Sequence, residues 1–292
     1  MSEEKKIFWI ASYPKSGNTL FRAILSSLFF TNDGVFTFKL FDTIRIYETA
    51  KRFLFLKDEN NKDFKKLNDM EVLYKYVLEV QSQKRLDVEE SFVFLKTHSA
   101  LLNLYGHDFT NPQSSRGVVY LVRDPRDVAI SWSKHMNKSI DETIECLIDK
   151  DFAVRYNNLE YLDDNIVPMC LLSRWDVHVK SWQYLKVPKM IIRYEDLISN
   201  KKEIILKVIK FFEENYKFTF NNVEEKISNI ILTTNFENMK KTEDKEGFKE
   251  AKEWTKFFSV GKKNQWKDKL SLNQIKKIEE SFRDAMINFK YL

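Results

Sequence analysis

Four short apolar runs constrain this chain more than any other feature in it: Ile7–Ala11, Phe92–Leu95, Val118–Val122 and Lys189–Arg193. Each is too short for a helix and lacks the alternation of a strand with one wet face. That is the pattern of strands buried on both sides. The segments between and after them have helical periodicity. Thr19–Phe30 is apolar on most sides, as a helix packed on a sheet is, and Lys201–Glu214 carries Ile204, Val208, Phe211 and Phe212 on one face. Near the end, Ile275, Ile278, Phe282, Met286 and Phe289 step by 3, 4, 4 and 3. Strands alternating with helices predict the α/β class, a three-layer domain around a mostly parallel central sheet. With no internal repeat, low-complexity tract or Pro/Gly/Ser linker, residues 1–292 read as a single domain. Ligands of such sheets bind at the carboxyl ends of the strands, so chemistry is expected in the residues that follow each run.

One stretch is less simply read. Gly34–Glu90 holds Phe36, Phe38, Phe41, Tyr47, Phe53 and Phe55, then a helical pattern from Asp69 to Ser82. It reads equally as a cap or pocket wall and as an ordinary hydrophobic layer.

Composition removes several classes. At 43% apolar residues and a net charge of only +5, spread along its length, the chain is neither disordered nor built to coat a nucleic acid. Cys146 and Cys170 are too few for a disulfide framework, and with His98, His107, His135 and His178 scattered, no metal site is expected. A reduced, cytoplasmic setting fits best. After the charged Met1–Lys6, the first apolar run is too short for a signal segment. No run is long enough to span a bilayer, so no stable membrane anchor is expected.

The first run leads directly into Tyr13-Pro14-Lys15-Ser16-Gly17-Asn18-Thr19 and then a helical segment. Gly17 permits close backbone approach or a positive φ. The helix start offers amide donors and a positive dipole end to an anion. Lys15 adds a charge, and Ser16 and Thr19 add hydroxyls. A plain strand-to-helix turn is the bland alternative; the strand–turn–helix context favours a P-loop-like phosphate site. It is not a Walker motif, because Lys15 precedes Gly17 and no glycine stands five residues before the lysine.

The third run ends in Arg123-Asp124-Pro125-Arg126-Asp127. Helix capping accounts for Asp124, Pro125 and Asp127. It does not account for Arg123, whose guanidinium can grip a phosphate in bidentate fashion, with Ser131 one turn beyond Asp127 as a companion. The second run ends in Lys96-Thr97-His98, and His98 there is equally a general base or a structural residue. The other three histidines read as structural.

These motifs together resemble the sulfotransferase family that uses 3′-phosphoadenosine 5′-phosphosulfate. Its first motif resembles YPKSGTTW, here Tyr13 to Leu20, and its second resembles RNPxDVxxSxxxF, here beginning Arg123-Asp124-Pro125-Arg126-Asp127-Val128-Ala129-Ile130-Ser131. Weaker similarity runs through Trp175–Trp182, Tyr194-Glu195-Asp196-Leu197, Thr234-Asn235-Phe236 and Phe257 to Trp266. The resemblance implies that Lys15, Ser16, Gly17, Asn18 and Thr19 hold the 5′-phosphosulfate, and that Arg123 and Ser131 bind the 3′-phosphate. It implies that Tyr194 and Thr234 line the nucleotide, that Phe236 stacks on adenine, and that His98 is the base, with Lys15 and Lys96 stabilising charge. No metal is implied. The acceptor is a hydroxyl of a small molecule or glycan, and the oligomeric state is open.

The chain departs from the family pattern in places. Leu20 stands where the family has tryptophan, with Phe21 one position out of register. The late motif, often RKG, is Ser259-Val260-Gly261 followed by Lys262 and Lys263, which would serve the 3′-phosphate instead. The family's dimer motif, KxxxTVxxxE, is not matched at Lys267–Lys276. Two rival readings stand beside the transferase: a P-loop-type nucleotide kinase, disfavoured by the missing GK[ST] and magnesium carboxylate, and a catalytically idle nucleotide-binding protein on the same scaffold.

Overall fold

A computed structural model describes residues 6–56, 69–82, 84–86, 92–154, 169–251 and 254–292. The charged start read above falls mostly in residues 1–5, outside the described residues. The strands in chain order are β1 Lys6–Ser12, β2 Arg45–Ile46, β3 Phe92–Thr97, β4 Asn103–Leu104, β5 His107–Asp108, β6 Ser115–Val122, β7 Ala153–Val154, β8 Cys170–Leu171 and β9 Lys189–Arg193. Each of the four apolar runs is a strand of one five-stranded sheet, ordered β2-β3-β1-β6-β9. β1 pairs parallel to β3 from Lys6↔Phe92 to Ala11↔Thr97, and β2 joins β3 in parallel through Arg45↔Leu95 and Ile46↔Lys96. Parallel pairing of consecutive runs requires the long crossovers that the sequence supplies, and the α/β class is as expected.

Helices form where the periodicity placed them. The first spans Asn18–Phe30 and follows Gly17, whose φ of 95° lies in the left-handed region. Asp69 caps the Met70–Val80 helix by accepting from the amides of Glu71 and Val72. Asp124 accepts from the Arg126 amide at 2.9 Å, with Pro125 at the first helical position, and starts Pro125–Met136. Lys201–Tyr216 and Leu272–Asn288 are the two long helices of the later chain, the latter opened by a Ser271/Gln274 capping box.

The described residues form two compact units, one from Met1–Tyr13, Arg45–Tyr120 and Ile148–Lys189, the other from Pro14–Ile44, Leu121–Leu147 and Met190–Leu292. The chain passes between them at five points, inside β6 and β9 and at the Tyr13–Pro14, Ile44–Arg45 and Leu147–Ile148 bonds, and no linker composition marks the divide.

The first unit has an aromatic core in which Trp9, Tyr47, Phe109 and Trp182 pack with ring centroids 5.2–6.0 Å apart. The polar atoms of these rings are paired: Trp9 Nε1 donates to Ser115 Oγ at 2.9 Å, Tyr47 OH to the Val77 carbonyl at 2.8 Å and Trp182 Nε1 to the Ser99 carbonyl at 3.0 Å. The second unit has a phenylalanine cluster. Phe36 and Phe41 are buried with Ala23, Met239 and Phe258, and Phe38, Phe236, Phe248 and Phe257 pack against them. The aromatic stretch of Gly34–Glu90 is therefore divided. Phe36, Phe38 and Phe41 serve the second unit's layer, and Tyr47 and Phe53 line a small cavity of the first.

Candidate functional site

The second unit gathers most of the residues expected to hold an anion. The turn after β1 contains two left-handed residues, Lys15 at φ 64° and Gly17 at φ 95°. The helix ladder begins with the Phe21 amide donating to the Gly17 carbonyl at 3.0 Å, so the earlier amides of the first turn lie outside it. Ser16, Asn18 and Thr19 are buried. Gly17 is required twice over. Its φ disfavours any side chain, and a Cβ there would stand 2.6 Å from Cδ2 of Tyr194.

Arg123 stands at the centre of this unit's site, 5% exposed. Its Nη1 donates to the Lys15 carbonyl at 3.0 Å and its Nη2 to the Lys262 carbonyl at 3.2 Å. Its guanidinium lies over the Tyr194 ring, 4.3 Å from the centroid, and 3.7 Å from Asp127 Oδ2. Arg123 thus joins the first turn, Tyr194 and the late loop. Asp127, fully buried, accepts from the amides of Asn264 (2.7 Å) and Trp266 (3.1 Å) and holds that loop from the other side. Burial, the largest influence, raises the Asp127 carboxyl above its ordinary value, and Arg123 and the two amides oppose it.

Gly261, at φ 63°, lies against Phe236: a Cβ there would be 2.2 Å from the ring. This brings Phe236 and the late loop together. Lys262 is exposed, and Lys263 donates to Ser199 Oγ at 2.6 Å. The Lys15 ammonium sits 4.0 Å from the Phe257 ring centroid, and Phe257 and Phe258 are held by their amides, which donate to buried Glu243 at 2.7 and 2.9 Å.

Ser131 and Thr234 complete the residues expected in this unit. Ser131 lies on the Pro125–Met136 helix, half-buried, and no direct hydrogen bond joins it to Arg123 among the described residues. Thr234 is buried with its hydroxyl already engaged, donating to the Ile230 carbonyl at 2.7 Å and accepting from Lys201 at 3.2 Å. Phe21, the neighbour of Leu20, is fully buried.

The first unit holds Lys96 and His98. Lys96 is the next-to-last residue of β3, at 6% exposure. His98 follows one residue after the strand, and its Nδ1 lies 2.7 Å from the Ser12 carbonyl. A carbonyl only accepts, so Nδ1 carries the ring proton and Nε2 is the acceptor nitrogen. The His98 carbonyl in turn accepts from Nε2 of His178 at 2.9 Å, and His178 Nδ1 accepts from Tyr120 OH at 2.7 Å. Complete burial lowers the His178 pKa to about 4, which keeps it neutral. On the other side, buried Glu48 accepts from Thr97, His98 and Ser99. The small cavity beside these residues is lined mainly by Tyr47, Glu48, Phe53, Tyr74, Ser99 and Phe109.

A family model, the sulfotransferase domain, matches residues 5–290. The chain belongs to the sulfotransferase-domain family. Among its relatives, the amine sulfotransferase of Oryctolagus cuniculus is 25% identical over 186 residues, covering 59% of this chain and 55% of the relative. The 3-beta-hydroxysteroid sulfotransferase of Cavia porcellus is 21% identical over 201 residues, covering 64% and 61%. The chain thus spans little more than half the length of these curated relatives. Among solved structures, retinol dehydratase in complex with androsterone and inactive cofactor PAP matches with a TM-score of 0.58 at 19% identity, covering 96% of this chain and 80% of that one. A mouse sulfotransferase complexed with PAP matches at 0.57 and 16%, covering 96% and 84%. This second likeness is one of fold. No helix among the described residues is long and apolar enough to cross a membrane.

Sequence reasoning missed Glu48, His178, Phe257 and the anchoring role of Asp127. Asp127 lay inside the second motif, where capping accounted for it, His178 and Phe257 lay in stretches of weaker similarity, and Glu48 lay in none.

Proposed function

We propose that this chain transfers a sulfuryl group from 3′-phosphoadenosine 5′-phosphosulfate to a hydroxyl of a small-molecule or glycan acceptor by in-line displacement. The observation that carries the reading is the position of Arg123, stacked on Tyr194 and bonded to both the Lys15 turn and the Lys262 loop. That arrangement sets the Arg123 guanidinium beside the turn that opens the Asn18–Phe30 helix, a setting that suits an anionic nucleotide. Buried polar atoms fit a missing ligand: Ser16 Oγ and Arg123 Nε have no hydrogen-bond partner among the described residues.

In this reading the Lys15–Thr19 turn holds the 5′-phosphosulfate, and Arg123 with Lys262 meets the 3′-phosphate. Phe236, backed by Gly261, stacks on the base. His98 Nε2 takes the acceptor's hydroxyl proton as the acceptor oxygen bonds to sulfur. The bond from sulfur to the 5′-phosphate oxygen breaks, and Lys15 and Lys96 stabilise the charge on the leaving phosphate and the sulfuryl oxygens. Products are the bisphosphate nucleotide and a sulfate ester. All of residues 1–292 act as one catalytic domain, in a reducing cytoplasmic setting.

The test is thermal unfolding with 3′-phosphoadenosine 5′-phosphate against ADP and AMP. A ligand at 100 times its Kd stabilises by about 2.7 kcal/mol. A shift specific to the 3′-phosphate and lost in Arg123→Ala is expected. A shift with ADP and none with the bisphosphate would return the kinase reading. The role of His98 is tested separately: His98→Ala with full turnover would remove it from the mechanism.

A further inference from the structure

We infer that Glu48 is a positioning residue for the general base, holding the turn that carries His98 so that its Nε2 is the proton-accepting nitrogen. The inference rests on the reading of His98 as the base.

A single carboxylate oxygen, Glu48 Oε1, accepts from four donors: Thr97 Oγ1, the His98 amide at 3.1 Å, the Ser99 amide at 3.1 Å and Ser99 Oγ at 2.8 Å. The donors belong to three consecutive residues at the carboxyl end of β3, and Glu48 follows two residues after β2, the strand beside β3. It is 5% exposed. A buried carboxylate bonded by two amides and two hydroxyls is a rigid anchor, since every bond is charge-assisted and alternatives are unsolvated.

The peptide groups around His98 are thereby clamped at both ends. Glu48 takes the amide, and neutral His178 donates to the carbonyl at 2.9 Å. With the main chain held, the ring reaches the Ser12 carbonyl through Nδ1–H, and that bond fixes the tautomer. A histidine free to turn would divide its proton between both nitrogens and present a base for only part of the time. Capping alone would need one or two of these bonds; the convergence of four on the residues flanking His98 is what a base under orientational demand requires. Ser99 Oγ also contacts Cys170 Sγ at 3.3 Å, which extends the anchor to β8.

The experiment reads the ring directly. Two-bond 1H–15N correlation spectra of imidazole-labelled protein report which nitrogen of each of the four histidines bears the proton. His98 is assigned with a His98→Gln control. Wild type and Glu48→Gln, which keeps the accepting oxygen, should show His98 as a single Nδ1–H tautomer. Glu48→Ala should show a mixture, with at least 20% Nε2–H, while His178 keeps its Nε2–H signal and so certifies the fold. If Glu48→Ala does not fold, Ser99→Ala, which removes one hydroxyl donor, should show the same change in part. A His98 ring that stays wholly Nδ1–H in the folded variants overturns the inference.

Turnover with 2-naphthol and saturating donor supplies the second readout. Glu48→Ala should lower kcat at least by the fraction of His98 found as the Nε2–H tautomer, with the donor KM within twofold, and Glu48→Gln should recover most of it. Unchanged kcat in Glu48→Ala, alongside a dead His98→Ala, would overturn positioning and leave the base intact. Full turnover of His98→Ala would instead overturn the base reading while the spectra still decide the role of Glu48.

Discussion

Replacing Gly17 by alanine strikes the anion turn at its tightest point. Two penalties are readable from the structure. A side chain at a φ of 95° carries the left-handed strain, roughly 1–2 kcal/mol for an L-residue. The new Cβ would also stand 2.6 Å from Cδ2 of Tyr194, about 1 Å inside ordinary carbon–carbon contact. Tyr194 is 8% exposed and lies beneath the Arg123 guanidinium, so its ring has little room to withdraw; overpacking of this kind costs about 1–3 kcal/mol. The sum is about 2–5 kcal/mol, a fall in Tm of several degrees. The effect on ligand should be larger than on stability, because the displaced ring removes the surface on which Arg123 rests. Thermal unfolding with and without 3′-phosphoadenosine 5′-phosphate measures both. A cycle with Tyr194→Ala isolates the collision: the double variant should lose less than the sum of the single ones. A Gly17→Ala protein with unchanged Tm and an unchanged nucleotide-induced shift would refute the reasoning.

Arg123→Lys keeps a charge but not the fork that reaches two carbonyls, so the nucleotide-induced shift should fall well below that of wild type; an equal shift would mean the fork is not used. Asp127→Ala removes the acceptor of two late-loop amides and unpairs Arg123. It should destabilise by about 3 kcal/mol in urea unfolding and speed proteolysis within residues 262–266, with Asp127→Asn intermediate. His178 gives a pH dependence. Its folded pKa of about 4 is below the ordinary 6.5, so the unfolded chain takes up a proton that the folded one refuses. The neutral ring's contribution is complete above pH 6.5 and is lost as pH falls from 6.5 toward 4, by about 3 kcal/mol in all. Unfolding free energies in a His178→Gln variant should lack that part of the acid slope.

What was legible in the sequence followed how local its signal is. Short apolar runs marked the strands, and Lys189–Arg193 is a strand over the residues expected, but it is the edge of the sheet with only Ile192 buried, not the strand covered on both sides that the run predicted. Asp124-Pro125 announced a helix start through chemistry confined to adjacent residues, and Gly17 announced a positive φ through the lack of a side chain. Glu48 had no such signal, since its four donors lie 49 to 51 residues away and a glutamate among aromatics looks like any surface acid. His178 sits in a helix whose pattern accounts for it as core, and only the fold reveals that its Nε2 meets the His98 carbonyl. β2, two residues long, is too short for any periodicity to mark. The division into two compact units was equally hidden, because none of the five crossings, two inside strands and the others at element ends or in the turn after β1, carries a linker composition.

The frame around Arg123 is made of main-chain oxygens: one at Lys15, one at Lys262. Carbonyls are common to every residue, so this frame does not depend on how the late loop is spelled. Ser259 and Val260 can stand where relatives carry basic residues without loosening it, provided the backbone keeps its course past Gly261. The architecture of the pocket and the charge it displays are therefore separable properties. Spelling can drift in the late loop while the shape persists.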